Sequence, residues 1–171
     1  MSDMNKEKFE ALVHEQTALY GDTGGITFSG GEPLMQGEAL LSMLEGVSVH
    51  TAIETCGYAE ERLFRKVIDA MDYIMFDVKI ADNARHIQYT GRGNAEILRN
   101  LKILMESGKP YCIRTPLIPG ITDTEENLLA IKQLIGESPW EKIEYNMLAP
   151  VKYEKIGKEY PLSYLHKDAG K

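Results

Sequence analysis

The sequence contains few cysteines. Only Cys56 and Cys112 occur among its 171 residues, and they lie far apart in the chain. Two distant cysteines provide neither the framework of a disulfide-stabilised secreted protein nor the close spacing of a metal site. A cysteine-based metal site is therefore not expected from these residues, and a reducing compartment is the simplest environment for the chain.

Long apolar runs and an excess of positive charge are also missing. No apolar stretch approaches the roughly 18 residues of a membrane-spanning helix, and the first residues are too polar for a signal peptide. The chain has 26 acidic and 19 basic residues, and its formal net charge of -7 disfavours nucleic-acid binding. We therefore expect a cytoplasmic protein without a nucleic-acid or membrane partner, organised as one domain over residues 1–171.

Helical and strand-like patterns alternate along the chain. Five strands are predicted, at about residues 26–28, 47–54, 73–79, 111–115 and 142–148. Strands separated by helices imply right-handed crossovers and a parallel sheet. An eight-stranded barrel would need about three more strands, so the pattern predicts an α/β fold with a partial TIM-like barrel or an open sheet. Because the pattern begins with a helix, we expect the first strand of the array to lie outside this chain, and we expect an irregular tail from about residue 149.

The first strand runs into the segment Ser-Gly-Gly-Glu-Pro. Gly30 and Gly31 allow the backbone to come into contact with a ligand, and their carbonyl groups could accept from an ammonium group. Glu32 could add a charged acceptor. The alternative is a simple glycine turn beside a solvated glutamate.

The second strand ends in a carboxylate and a hydroxyl. Glu54 and Thr55 could coordinate a cation or bind the hydroxyl groups of a ribose. The alternative is a strand end with solvated polar residues. Cys56, which follows, is interpreted as a small filling residue.

The third strand carries charge on one face. Met75, Asp77 and Lys79 share that face, and the apolar residues between them share the other, which should pack against the helices. Asp77 and Lys79 are about 6 to 7 Å apart along an ideal strand. Because a buried unpaired charge costs several kcal/mol, something must satisfy these groups: each other, Arg114, a cation or a charged ligand. A structural ion network is the alternative to a functional site.

The fourth strand contains a single charged residue. Arg114 lies in an otherwise apolar segment, and its planar guanidinium suits a carboxylate. The following Pro-Gly pair predicts a turn, and Thr122 or Asp123 is expected to cap the next helix.

These segments together resemble a known family. Gly-Gly-Ile-Thr-Phe-Ser-Gly-Gly-Glu-Pro-Leu, Glu-Thr-Cys-Gly-Tyr, Met-Phe-Asp-Val-Lys and Ile-Arg-Thr-Pro-Leu-Ile-Pro-Gly-Ile-Thr-Asp follow one another in this order. The order resembles the radical SAM enzymes that activate glycyl radical enzymes, such as the pyruvate formate-lyase activating enzymes. The similarity runs from about residue 4 to about residue 161.

The resemblance implies roles for the residues at the strand ends. The residues that match the motif for the amino group of S-adenosylmethionine are Gly30, Gly31 and Glu32. Those that match a monovalent-cation and cofactor site are Glu54, Thr55, Met75 and Asp77, where Glu54 is one methylene longer than the aspartate of the family. Lys79 and Arg114 match basic residues near the cofactor and the substrate peptide, which makes them candidate catalytic residues.

Two departures from the family limit what the resemblance implies. The Cys-x3-Cys-x2-Cys motif that ligates the [4Fe-4S] cluster is absent from this sequence. The stretch 146–150 reads Asn-Met-Leu-Ala-Pro where many members have a histidine, so that role is not transferred. The chain therefore resembles the C-terminal part of a larger activating enzyme.

The resemblance also implies an activity and its partners. The parent enzyme would cleave S-adenosylmethionine reductively, and the resulting 5'-deoxyadenosyl radical would take hydrogen from the glycine loop of a glycyl radical enzyme. A flavodoxin or ferredoxin would supply the electron, and this chain alone would be inactive. Two alternatives stay open: a Schiff-base aldolase that uses Lys79, and a module that binds a nucleotide or peptide without catalysis. The exposed sheet edge could lead to self-association.

Overall fold

Five parallel strands form one sheet in the order in which they occur in the chain. The computed structural model describes residues 5–21 and 24–145, together with Gly157. The strands are β1 (Gly25–Phe28), β2 (His50–Thr55), β3 (Tyr73–Asp77), β4 (Tyr111–Leu117) and β5 (Trp140–Glu144). The helices are α1 (Lys6–Tyr20), α2 (Gly37–Leu44), α3 (Glu61–Ala70), α4 (Asn83–Thr90), α5 (Ala95–Glu106) and α6 (Glu125–Ile135), with a 3-10 turn at Pro33–Gln36. The prediction of an α/β fold with about five parallel strands is confirmed.

The apolar side of the sheet packs against helices, as α3 shows. Glu60 caps this helix by accepting from the backbone N–H groups of its first turn. Phe64, Val67 and Ile68 follow at helical spacing and are all buried. Phe64 meets Phe76 of β3 edge to face, with ring centroids 6.0 Å apart. The helical period of α3 and the strand period of β3 thus meet in one core.

Strand β3 shows the predicted division of its two faces. Ile74 and Phe76 are fully buried on the helix side, while Met75 and Asp77 are half-buried on the other side. The helix side supplies the core, so the polar residues are left on the opposite face. That face carries the functional candidates.

Several boundaries differ from the sequence-based prediction. Strand β3 ends at Asp77 rather than at residue 79, and β5 begins at Trp140 rather than at residue 142. Helix α6 is capped by Thr124, which accepts from the N–H of Asn127. The prediction that Thr122 or Asp123 caps it is wrong, because both side chains close the preceding turn by accepting from Ile118 N–H and Gly120 N–H.

Two of the sequence-based expectations concern residues beyond β5. The predicted irregular tail from about residue 149 and the stretch 146–150 lie outside the described residues.

Within the part of the chain that the structure describes, no helix has the length and apolar character needed to cross a membrane.

Candidate cofactor site at the carboxyl ends of the strands

The turn after β1 leaves its backbone accessible. Gly30 has φ +122°, a conformation that side-chain-bearing residues rarely adopt. No atom lies within 4 Å of the position that a Cβ atom would take at Gly30 or at Gly31. A ligand can therefore approach the peptide groups of both residues closely, as the sequence predicted.

Glu32 lies next to these glycines and ties β1 to β2. One carboxylate oxygen accepts from Leu34 N–H at 3.1 Å and from the Thr55 hydroxyl at 2.5 Å. The other accepts from the N–H and the thiol of Cys56, at 2.9 and 3.0 Å. A carboxylate offers about four acceptor positions, so the protein itself uses all of them. Glu32 is thus a half-buried carboxylate whose acceptor positions are used within the protein, rather than the solvated glutamate of a simple turn.

Cys56 is a neutral hydrogen-bond donor in this arrangement. Burial, assisted by the Glu32 carboxylate, raises the pKa of its thiol to about 11. Burial also raises the pKa of the Cys112 thiol. A [4Fe-4S] cluster needs three closely spaced thiolates, and this sequence has only two cysteines, which lie on separate strands or strand ends. Within residues 5–21 and 24–145, no group of three or more histidine, cysteine, aspartate or glutamate side chains could hold a metal ion.

The guanidinium of Arg114 is the centre of the polar face. Its Nη1 donates to Glu54 Oε1 at 2.8 Å and contacts Met75 Sδ at 3.3 Å, and its Nε donates to Asp77 Oδ1 at 3.3 Å. Burial would lower the pKa of Arg114, but the hydrogen bond to Glu54 and the charge of Asp77 outweigh it, so the pKa is raised. Three of the four candidate cation ligands therefore surround a positive charge that the protein supplies.

Thr55 is separated from these three residues. It follows Glu54 directly along β2, so its side chain points to the other face, where it is buried. Its hydroxyl donates to Glu32 and accepts from Gly57 N–H at 2.9 Å. The structure does not bring Thr55 together with Glu54, Met75 and Asp77.

Lys79 joins the ion network from beyond the end of β3. Its Nζ donates to Asp77 Oδ2 at 3.1 Å. An ideal strand would hold the two residues about 6 to 7 Å apart, but β3 ends at Asp77 and Lys79 lies beyond it in irregular backbone. Asp77 thus receives Arg114 on one oxygen and Lys79 on the other. The side chains of Glu54 and Asp77 thus face two cations, and a site that offers groups of both charges suits a ligand that carries both an ammonium and a carboxylate group.

A cavity of about 290 Å³ extends from this network toward α4. Its lining includes Glu32, Asp77 and Lys79, together with Tyr58 and Arg92. The Arg92 guanidinium lies 5.5 Å from the centre of the Tyr58 ring and donates to its hydroxyl at 3.1 Å. Sequence reasoning missed this pair; the position of Tyr58 directly after the Glu-Thr-Cys-Gly segment is the one signal that could have indicated it.

The residues present fit S-adenosylmethionine and do not fit the cluster. The accessible peptide groups of Gly30 and Gly31, the cations of Arg114 and Lys79, and the adjoining cavity together match a zwitterionic ligand with a large organic group. Two cysteines that belong to no group of metal-ligating side chains in the described residues do not match a set of iron ligands. Fold and site thus define a parallel α/β core with an S-adenosylmethionine-type site and no cluster ligands of its own in the described residues.

Comparison with known proteins agrees with this class. The sequence model of the Radical SAM superfamily matches residues 2–130, and the chain belongs to that superfamily. The superfamily uses S-adenosylmethionine and a [4Fe-4S] cluster.

Curated relatives share one kind of activity. The (2S)-3-sulfopropanediol sulfolyase activating enzyme of Bilophila wadsworthia is 37% identical over 91% of this chain and 55% of its own length. The choline trimethylamine-lyase activating enzyme of Oleidesulfovibrio alaskensis is 35% identical over 91% of this chain and 54% of its own length. The chain therefore spans about half the length of the curated relatives it matches, and it is homologous to the core of glycyl radical enzyme activating enzymes.

Solved structures confirm the fold. A domain of pyruvate-formate lyase-activating enzyme from Bacteroides vulgatus superposes with a TM-score of 0.60 at 30% identity, covering 69% of this chain and 75% of that one. Streptococcus suis SuiB bound to S-adenosylmethionine gives a TM-score of 0.67 over 97% of this chain and 38% of SuiB. Its 15% identity supports the fold alone. The predicted partial TIM-like barrel is confirmed.

Proposed function

We propose that this chain is the S-adenosylmethionine-binding part of a radical SAM enzyme that activates a glycyl radical enzyme. One observation carries the proposal: the accessible Gly30–Gly31 turn and the network of Arg114, Asp77 and Lys79 lie at the same edge of the sheet. In parallel α/β folds this edge is where ligands bind. Residues 1–171 would then form part of one radical SAM core domain.

Backbone groups and side chains share the binding of the cofactor. The carbonyl groups of Gly30 and Gly31 accept from its ammonium group, and Arg114 and Lys79 hold its carboxylate. Glu32 keeps the glycine turn in place against β2. Bound S-adenosylmethionine supplies a 5'-deoxyadenosyl radical when it receives one electron.

The same residues constrain a monovalent cation. The candidate ligands Glu54, Met75 and Asp77 all contact Arg114. A cation at this place would have to displace the guanidinium, and Thr55 would have to leave Glu32 to join it. The guanidinium thus serves as the counter-charge of these carboxylates in the chain without a cofactor.

The partners follow from the relatives. The curated relatives are activating enzymes, several of them named for lyases, and the proposal gives this chain a glycyl radical enzyme as partner, bound through its glycine loop. The electron donor would be a flavodoxin or ferredoxin, and the location the cytoplasm. Among the described residues no strand pairs with the outer edge of β1, so a second copy could pair there.

The two alternative functions are less well supported by the site. Lys79 Nζ donates to Asp77, whereas a Schiff-base aldolase needs a free amine. A binding module without catalysis would use the same cavity, and the lack of cluster ligands among the described residues is consistent with it. Activity in the presence of a cluster separates this module from the proposed function.

A fusion protein tests the proposal. We expect the chain joined to a Cys-x3-Cys-x2-Cys segment of a radical SAM protein to form 5'-deoxyadenosine from S-adenosylmethionine with dithionite. The chain alone, treated with iron, sulfide and dithionite, should form none, because it lacks the thiolates for a cluster. The matched control is the same fusion with its three cysteines replaced by alanine. A fusion with a complete cluster, shown by its electron paramagnetic resonance signal, but without 5'-deoxyadenosine would contradict the proposal.

A further inference from the structure

The segment that follows β3 carries Lys79, and its backbone belongs to neither a strand nor a helix. Its carbonyl groups cannot join the sheet, so other groups have to satisfy them. The amide of Asn127 donates to Lys79 C=O at 2.9 Å, and the amide of Asn94 donates to Ala81 C=O at 2.8 Å and to Ile80 C=O at 3.2 Å. Two side-chain amides thus hold three successive peptide carbonyls.

Asn127 makes a reciprocal contact that only an amide side chain can make. Its Oδ1 accepts from Ala81 N–H at 3.0 Å, while its Nδ2 donates to Lys79 C=O and to Thr122 C=O. An aspartate would keep the acceptor and lose the donors, and a leucine would lose both. The position therefore requires the amide itself.

Both asparagines are fixed by the helices on which they lie. Asn94 immediately precedes α5 and its N–H donates to Asn83 Oδ1, while Asn127 lies in the first turn of α6 and its N–H donates to Thr124 Oγ1. Their exposed fractions are 2% and 3%. Buried side chains with their own backbone anchored transmit the position of a helix to whatever they bind.

We propose that Asn94 and Asn127 are positioning residues that place Lys79 against Asp77 at the cofactor site. They hold the carbonyl group of Lys79 and the backbone of the two residues that follow it, and this fixes where the side chain leaves the chain. The placement of Lys79 follows from these hydrogen bonds, and the effect on cofactor binding rests on the proposed function. Neither residue touches the ligand position itself.

Asn100 provides a matched control. It is fully buried, and its amide donates to Gly57 C=O and Ala59 C=O, both at 2.8 Å. It therefore holds the loop after β2 as Asn94 and Asn127 hold the segment after β3. Replacing it costs two hydrogen bonds of the same kind without touching the segment of Lys79.

The experiment compares Asn94→Ala, Asn127→Ala and Asn100→Ala in the full chain. All three should be less stable to urea. In the first two, the nitrogen-15 signal of the Lys79 ammonium group, assigned with Lys79→Ala, should shift or broaden, while Asn100→Ala should keep the wild-type signal. Exchange of the Ala81 amide should become about tenfold faster in Asn127→Ala, because it loses its acceptor.

The outcomes separate this inference from the proposed function. An unchanged Lys79 signal in both variants, or an equal change in Asn100→Ala, would overturn the inference. Binding of S-adenosylmethionine should weaken about five- to tenfold in the first two variants. If the wild-type chain does not bind it at all, the proposed function fails while the Lys79 signal still decides the positioning role. Asn94→Ala decides the inference by itself if Asn127→Ala does not fold.

Discussion

Replacing Arg114 by methionine is expected to lower the free energy of unfolding by about 2 to 3 kcal/mol. The substitution keeps most of the side-chain volume and removes the guanidinium that Glu54 and Asp77 share. The Arg114 side chain is only 14% exposed, so water cannot replace the lost donors well. Two carboxylates would remain close together on a half-buried surface without their counter-charge. Urea denaturation measures the change.

An exposed ion pair is the matched control for Arg114. Arg65 donates to Glu61 at 2.9 Å within α3, where both side chains are about half exposed. Arg65→Met should cost less than about 0.5 kcal/mol, because exposed pairs contribute little. Arg114→Lys should fall between wild type and Arg114→Met, since lysine keeps the charge without the planar fork. Equal losses for Arg114→Met and Arg65→Met would show that the network does not stabilise the fold.

Replacing Gly57 by alanine is expected to lower the free energy of unfolding by about 3 kcal/mol. Gly57 follows Cys56 at the end of β2 and has φ +72°. An added Cβ would lie 2.4 Å from two atoms of the Phe76 ring, which is fully buried. The ring has no room to retreat within a packed core, so backbone strain and overpacking add.

Gly91 separates these two causes. It has φ +76° at the end of α4, and no atom lies within 4 Å of the position of an added Cβ. Gly91→Ala should therefore cost only the backbone term, about 1 kcal/mol. The double variant Gly57→Ala/Phe76→Leu should lose less free energy of unfolding than the sum of the losses of the two single variants, because the smaller side chain relieves the overlap. Strict additivity would contradict the packing explanation.

The faces of the strands could be read from the sequence because they depend on local alternation. Ile74 and Phe76 are buried, and Asp77 is on the polar face, as the period of two predicts. The end of β3 could not be predicted from local alternation. The backbone beyond it bonds to Asn94 and Asn127, which are distant in the chain.

The site shows the same division between local and long-range information. The sequence indicated that Arg114 could satisfy the charge of Asp77, and the structure brings them to 3.3 Å. The partners of Glu32 were missed, because Thr55 and Cys56 lie 23 and 24 residues away along the chain. The grouping of Thr55 with Glu54 rested on their adjacency at the strand end and on the family motif, whereas neighbouring residues on a strand point to opposite faces.

Titration of the nitrogen-15-labelled chain with S-adenosylmethionine tests the central claim most directly. We expect saturable changes in the amide signals of Gly30, Gly31, Asp77, Lys79 and Arg114, at weak affinity because this sequence lacks the three cysteines that ligate a cluster. Arg114→Met should abolish them, and Arg65→Met should not. No change at these amides up to the solubility of the ligand, or saturable changes confined to another surface, would contradict the account.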